Sequence, residues 1–471
     1  MEDFGQGDTG MSPDSKSIIL RLRSGLGAHG FSQAVNLFIR LAEVPLFLTF
    51  WGAQHYGEWL MVAAIPSYLA MADGGFTGCT QREMTMRMGA GDRQGAKAAF
   101  QSTWILLLIL SIAIMGLATV AAVLLPLDEW FKLKSMPGDT LPTVILLLTT
   151  HILVGFQCGL IYGGYSCVGR YARGTLLTAV MYLFDFLGLA LAIFLGGGPV
   201  EAATGFLIGR LAGLVIFLID LPKVAPWLRF GWTHASRTQV SRLLRPSLAS
   251  MAFPLGEALN TQGMRLVVGL VLGPVAVASF SSIRTLCRSA MKPIAVIAHL
   301  IEPEMALAFG ASNNGLVRKL FTRASQITIW AALPACIILW FIGEPLLDLW
   351  TRSQITMDVP LFGFLLLASA TNSLWFTALM VPYATNRHGR VALIFLGANG
   401  CMLLIATILM PFSNLSGSGV AVLAAELAMA ACVLPMAFQL SKETAHEWFM
   451  QVIKPPVTII TSLWQNANSR S

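Results

Sequence analysis

Apolar runs of about 20 residues, each long enough to cross a bilayer core as a helix, recur along the whole chain. Soluble domains carry roughly 25% charged residues; this 471-residue chain carries 12%, and 55% of it is hydrophobic. Inside a bilayer every backbone polar group must be satisfied within the protein, which leaves helices or closed barrels. The runs here are continuous, not alternating, so helices are expected. The expected fold class is all-α integral membrane, with about twelve transmembrane helices. In the first half they fall near 28–50, 56–80, 100–126, 140–163, 174–196 and 199–221. In the second half they fall near 246–272, 274–300, 319–343, 360–384, 390–411 and 417–440.

The formal net charge of +7 is compatible with a nucleic-acid partner, but its distribution is not. With the N-terminus inside, the inner segments collect Arg82, Arg87, Arg93, Lys97, Arg170, Arg173, Arg229, Arg237, Arg242, Arg318, Lys319 and Arg323, among others. The outer loops hold only Lys132, Lys134 and Arg352. This asymmetry reports membrane orientation with both termini cytoplasmic, and no nucleic-acid partner is expected.

The two halves echo each other. EMTMRMGAGDRQGAKAAF at 83–100 and EMALAFGASNNGLVRKLF at 304–321 align without a gap, 221 positions apart. Glu83, Met84, Gly89, Ala90 and Phe100 match Glu304, Met305, Gly310, Ala311 and Phe321. Gly169-Arg170 and Gly389-Arg390 repeat the echo 220 positions apart. An even number of spans in each half gives both halves the same orientation. The expectation is two homologous six-helix lobes related by a pseudo-two-fold axis along the membrane normal. The divisions are a polar cytoplasmic tail at 1–27, an N-lobe at 28–221, a cytoplasmic linker at 222–245, a C-lobe at 246–440 and a tail at 441–471. That last tail, with Trp448, Phe449 and Trp464, reads as interfacial or disordered.

Several function classes are disfavoured. Residues 1–27 lack the apolar core of a cleaved signal peptide. The seven scattered cysteines form no CxxC pair, against a zinc site or a disulfide framework. Gly89 to Lys97 misses the spacing and hydroxyl of a phosphate-binding loop and recurs in the second half, so it reads as a turn. There is no HExxH or GxSxG motif, and no enzyme is expected.

Buried charge carries the candidate chemistry. Arg284, Arg288 and Lys292 fall at i, i+4 and i+8 of the eighth span, on one helical face. An ionisable side chain at the bilayer centre costs about 2.5–3.5 kcal/mol even on the lenient insertion scale. Two readings stand: an anion-binding wall, or internal ion pairing with Lys292 snorkelling to the interface. Arg40 and Glu43 lie on the first span and can pair with each other; Glu257 and Arg265 lie two turns apart on the seventh. Glu257 is a candidate partner for an arginine of the eighth span. Asp73 reads as a local cap or as an ion-coupling group, and Asp185 with Arg210 as an interhelical pair or a functional one. Glu426 stands alone in the last span as a proton-site candidate, whereas His151 and His299 read as solvated. Glycines at 155, 159, 163 and at 205, 209, 213 read as helix-packing stripes.

The stretch PLFLTFWGAQHYGEWLMVAAIPSYLAMADGGFTG at 45–78 resembles the polysaccharide-export, O-antigen type flippases of the multidrug/oligosaccharidyl-lipid/polysaccharide superfamily. The shared pattern is a proline in the first span, Gly52, Gly57 and Trp59 opening the second, and Tyr68, Leu69, Asp73 and Gly75 closing it. The loop from Gly89 to Phe100, the doubled halves and the length also fit. Fourteen-span relatives carry two further spans, and 441–471 is too polar to supply them.

The resemblance implies a multi-pass protein of the bacterial inner membrane. It would flip an undecaprenyl-pyrophosphate-linked oligosaccharide by alternating access, for lipopolysaccharide, capsule or exopolysaccharide assembly. Its partners would be that polyprenyl-pyrophosphate-linked oligosaccharide, membrane lipids and other polysaccharide assembly proteins. No cofactor or metal is expected; a coupling ion, H+ or Na+, is left open. The expected substrate-binding residues are Arg284, Arg288, Lys292, Arg40 and Arg265, around a cavity lined by spans 1, 2, 7 and 8. Glu43, Asp73, Glu257, Asp185 and Arg210 are the coupling or ion-pair candidates. The alternative is a multidrug and toxic-compound extrusion antiporter. A membrane scaffold and a lipid-carrier enzyme stand further back.

Overall fold

The computed structural model describes residues 13–73, 75–130, 133–136, 139–310, 313–384 and 389–455. Among them the chain is all-helical: α1 (Pro13–Leu69), α2 (Phe76–Gly89), α3 (Arg93–Leu124), α4 (Leu127–Trp130), α5 (Leu141–Cys167), α6 (Tyr171–Phe194), α7 (Pro199–Val224) and α8 (Arg237–Ser250). The succession continues with α9 (Ala252–Ala258), a π-turn at Leu259–Gly263, α10 (Met264–Leu272), α11 (Pro274–Gly310) and α12 (Asn314–Thr351). It closes with α13 (Val359–Ala384), α14 (Gly389–Ser413), α15 (Leu415–Ser441) and α16 (Ala445–Val452). Among the described residues, nine helices are long and apolar enough to cross a membrane. The first of these, 43 residues from Gly27 to Leu69, takes in the first expected span and most of the second. The α9–α10 segment is interrupted by its π-turn, and α11 carries Arg284, Arg288 and Lys292.

The structure moves several boundaries. The second expected span does not run to 80. The helix gives way to a 3-10 turn at Ala70–Asp73, and Gly75, at φ 70°, starts α2 in a conformation that glycine adopts without strain. Within the expected linker, α8 begins at Arg237. The linker is also pinned: Gln101 donates to the Arg229 carbonyl at 3.0 Å and accepts from the His234 amide at 2.8 Å. Ser102 accepts from the Ser236 amide, and Phe230 packs against Phe100 and Trp104.

The repeat has a structural meaning at both of its turns. Asp92 accepts from the Gly95 amide at the start of α3, and Asn313, 221 positions on, accepts from the Leu316 amide at the start of α12. Earlier in each half, Gly52 at a kink inside α1 (φ 71°, ψ 175°) and Gly273 between α10 and α11 (φ 91°, ψ 174°) adopt nearly the same backbone turn, again 221 positions apart. Both lie in a region that is essentially restricted to glycine.

By its internal contacts the chain divides into two compact units. The first holds residues up to Glu43, then Asp73–Leu117 and Leu147–Ser247; the second holds Val44–Ala72, Ala118–Leu146 and the chain from Leu248 on. In the first, α6 and α7 approach at backbone distance. A Cβ on Gly205 would meet the Gly188 carbonyl, and one on Gly209 would meet the Phe184 carbonyl and the Asp185 backbone. Gly159 and Gly163 of α5 lie against Thr77 and Gln81 of α2. Removal of side chains along these stripes is what admits such contact.

In the second unit, buried Phe321, Trp375, Met380, Phe395, Met429 and Trp448 form the core. The tail at 441–455 is ordered by it. Thr444 caps α16 by accepting from the Glu447 amide, and Trp448 stacks on Phe321 at 6.1 Å. Gln326 and Trp330 of α12 donate to the Lys454 and Val452 carbonyls. Residues 456–471, Trp464 included, lie outside the described residues.

Between α15 and α16 the Glu443 carboxylate is buried, accepts from the Thr322 hydroxyl at 2.8 Å and stands 3.5 Å from Arg318. Burial pushes its carboxyl above the ordinary value of 4.5, outweighing Thr322 and Arg318, which act the other way. Folding therefore takes up a proton at this site, and stability falls as pH rises from 4.5 through the folded value. Neighbouring Glu447 has the opposite sign, since Thr444 and Arg318 hold it low. In melting curves of purified protein, Glu443→Gln is expected to gain on the parent as pH rises through this window. A constant difference across pH would remove the Glu443 carboxyl from the account.

Candidate functional site

Pro254 brings no amide hydrogen into α9, and five residues later the helix widens into the π-turn. Arg284 of α11 fills the opening. Its guanidinium donates to the Asn260 carbonyl at 2.7 Å and to the Asn260 side-chain oxygen, and it lies 5.5 Å from the Phe280 ring. Asn260 in turn donates to Asn399 of α14 at 2.5 Å, and Asn399 donates to the Phe395 carbonyl. Arg284 and both asparagines are buried. The chain of donors ties α11, the π-turn and α14 together and satisfies a buried cation with neutral oxygens.

One turn further along α11, Arg288 is different. Its side chain is 40% exposed and donates to Glu257 at 3.0 Å, with Glu257 itself 49% exposed. Both line a cavity of about 330 Å3, together with Phe253, Asn260, Trp375 and Glu426. Glu426 is buried and accepts from Trp375 Nε1 at 2.7 Å and Asn372 Nδ2 at 3.0 Å. The cavity thus offers an arginine, two carboxylates, amides and aromatic faces, all in the second unit.

Arg265 donates to Gln262 at 3.1 Å. Lys292 continues α11, but its side chain lies outside the described residues, as does that of His299. Arg40 is exposed and Glu43 half-buried, both on α1 in the first unit. Asp73 accepts from the backbone amide and hydroxyl of Thr77, as a local cap does. Asp185 and Arg210 form a two-armed pair in the first unit, at 3.2 and 2.6 Å. Gly155 leaves the space beside Arg210, whose guanidinium also lies 5.5 Å from the Tyr182 ring. Arg210, Gly155 and Tyr182 also help to line a cavity of about 380 Å3, with Tyr162, Thr175 and Thr178.

Two sequence readings are corrected here. His151 is not solvated: it is buried, stacks on Phe206 at 3.9 Å and stands 3.5 Å from Asp185. Glu426 does not stand alone, since two donors from α13 hold it. Sequence reasoning also passed over Asn260, Asn399, Asn372 and Trp375. Their signal was present as amides and an indole inside apolar spans, where each needs a partner.

With this geometry in hand, the solved structures decide the fold. No protein-family model matches the chain, and no curated protein matches its sequence. The structural likeness covers almost all of it. An inward-facing multidrug resistance MATE family transporter of the MOP superfamily superposes with a TM-score of 0.67 at 18% identity, over 87% of this chain and 100% of that one. The fold is that of these membrane transporters. Lipid II flippase MurJ in its inward closed conformation gives a TM-score of 0.68 at 15% identity, over 91% and 90% of the two chains. An outward-facing MATE family transporter of the MOP superfamily gives 0.62 at 17% identity, over 90% and 95%.

Proposed function

We propose that this chain is a flippase for a lipid-linked oligosaccharide carried on polyprenyl pyrophosphate, working by alternating access in a bacterial inner membrane. The observation that carries the reading is Arg288. It is a partly exposed guanidinium, set on a helix locked by Arg284 and opening on a cavity walled with aromatic rings and amides. Guanidinium groups suit phosphate oxygens, and flat rings suit sugar faces. In this reading Arg288 touches the pyrophosphate or an acidic sugar, and Arg284 is a positioning residue whose donors are spent on Asn260. Arg40, Arg265 and Lys292 are the further substrate-binding candidates. The fold shared with a lipid II flippase supports this assignment.

The test is a deletion strain complemented with parental or Arg288→Ala protein. Lipid-linked oligosaccharide should accumulate on the cytoplasmic leaflet in the deletion. Loss of one charge-assisted contact should slow translocation about tenfold or more with normal membrane insertion. Translocation at the parental rate would sink the site. The two carboxylates in the same cavity, Glu257 and Glu426, favour a second reading as a multidrug extrusion antiporter. That reading predicts drug sensitivity and intact surface polysaccharide in the deletion strain.

A further inference from the structure

A cavity of about 640 Å3 opens in the first unit, where α2, the end of α5, the start of α6 and α8 meet. Gln81, Arg82, Thr85, Ser166, Tyr171 and Arg242 line it, together with one carboxylate, Glu83. Its cations are placed unlike other arginines in the basic segments. Arg87 is held by Glu83 at 2.8 Å and Asp92 at 3.2 Å, Arg173 by Asp220 at 2.5 Å, and Arg318 by Glu447 at 3.0 Å. The hydrogen bond described for Arg82 goes instead to the Cys79 sulfur, a weak acceptor, at 3.3 Å. Arg242 is 67% exposed and stands 3.9 Å from Glu83, a carboxylate already engaged by Arg87. Cations therefore outnumber carboxylates around the opening.

The neutral lining is also suited to an anion. Gln81 donates one amide hydrogen to the Ser166 oxygen at 3.1 Å, and its NH2 group carries a second. The Tyr171 side chain, 41% exposed, reaches the same space. Met86, 64% exposed, and Leu243 add apolar surface beside the polar groups. The second copy of the repeat does not carry this set, since Glu302 and Pro303 stand where the first has Gln81 and Arg82.

We propose that this cavity is a second anion site, separate from the one beside Arg288, that takes the phosphate or pyrophosphate group of a lipid. The basic segments around it place it at the cytoplasmic leaflet. Paired guanidinium groups with hydroxyl and amide neighbours match phosphate oxygens, and the apolar rim accommodates the first part of a lipid chain. Two lipids carry this chemistry: a polyprenyl pyrophosphate, which rests on the proposed function above, and an anionic phospholipid, which does not.

Native mass spectrometry of the full chain, with farnesyl pyrophosphate and with phosphatidylglycerol as separate probes, tests the proposal. The variants are the double Arg82→Gln, Arg242→Gln protein and, for the other cavity, Arg288→Gln. Both substituted arginines of the double variant are at the surface, so an unchanged melting temperature is expected. The parent should bind two farnesyl pyrophosphate molecules and each variant one, with affinity at the altered site reduced about tenfold or more. If phosphatidylglycerol alone is lost from the double variant, the site stands and belongs to bilayer phospholipid. If farnesyl pyrophosphate is lost from the double variant but kept by Arg288→Gln, this site stands and the one in the second unit falls. If the double variant retains both probes as the parent does, the proposal is overturned, whatever Arg288→Gln shows.

Discussion

Arg210→Ala is expected to destabilise the protein by about 3–5 kcal/mol, because it leaves a buried carboxylate without its cation. Asp185 is buried in α6, and two guanidinium arms reach it from α7. His151, itself buried, stands 3.5 Å from Asp185 and supplies no permanent positive charge in place of the guanidinium. Chemical unfolding in detergent reads the loss directly. A double variant, Asp185→Leu with Arg210→Met, should recover most of it, since removing both charges avoids the stranded one. If Arg210→Ala costs under about 1 kcal/mol, the pair behaves like a solvated surface pair and the buried reading is wrong.

Glu58→Ala should have an effect of similar size, through neutral donors instead of a cation. Glu58 is fully buried on α1 and accepts from the amides of Lys134, Ser135 and Met136 and from the Gln54 side chain. Each backbone donor left unsatisfied costs about 1–3 kcal/mol, so about 3 kcal/mol or more is expected in total. The loss should be local. Hydrogen exchange at residues 134–136 should rise steeply, while α12–α15 stay protected. Glu58→Gln keeps one acceptor oxygen and should fall between the parent and alanine. Unchanged exchange in the alanine variant would mean the segment is held by other contacts, such as the bond the Ser135 carbonyl accepts from His55.

These two sites show where sequence reading reaches and where it stops. Helix type and most of the spans were legible because lipid imposes a length and a composition on every span, and both survive in the letters. The packing stripes were legible for a related reason, as spacing by four places glycines on one face. The pairing of Asp185 with Arg210 could be weighed from depth alone. Depth did not reveal His151, whose neighbours come from α6 and α7 and not from its own helix. Glu58 was passed over because a glutamate beside an expected loop looks solvated until the loop folds back onto it. The π-turn was invisible for another reason. Its sequence, LNTQG, is compatible with an ordinary helix, and the extra residue is accommodated by Arg284 from the neighbouring helix.

Gly52 and Gly273 carry a consequence of a different kind. After a gene duplicates, side chains can drift one at a time, and Ala63 against Arg284 shows how far this pair of copies has drifted. A backbone torsion open to glycine alone cannot drift in that way, because every other residue is an immediate strain. The two turns, with ψ of 175° and 174°, are therefore the part of the ancestral half that had least freedom to be rewritten. They record common descent in torsion angles, at positions where the neighbouring letters no longer match.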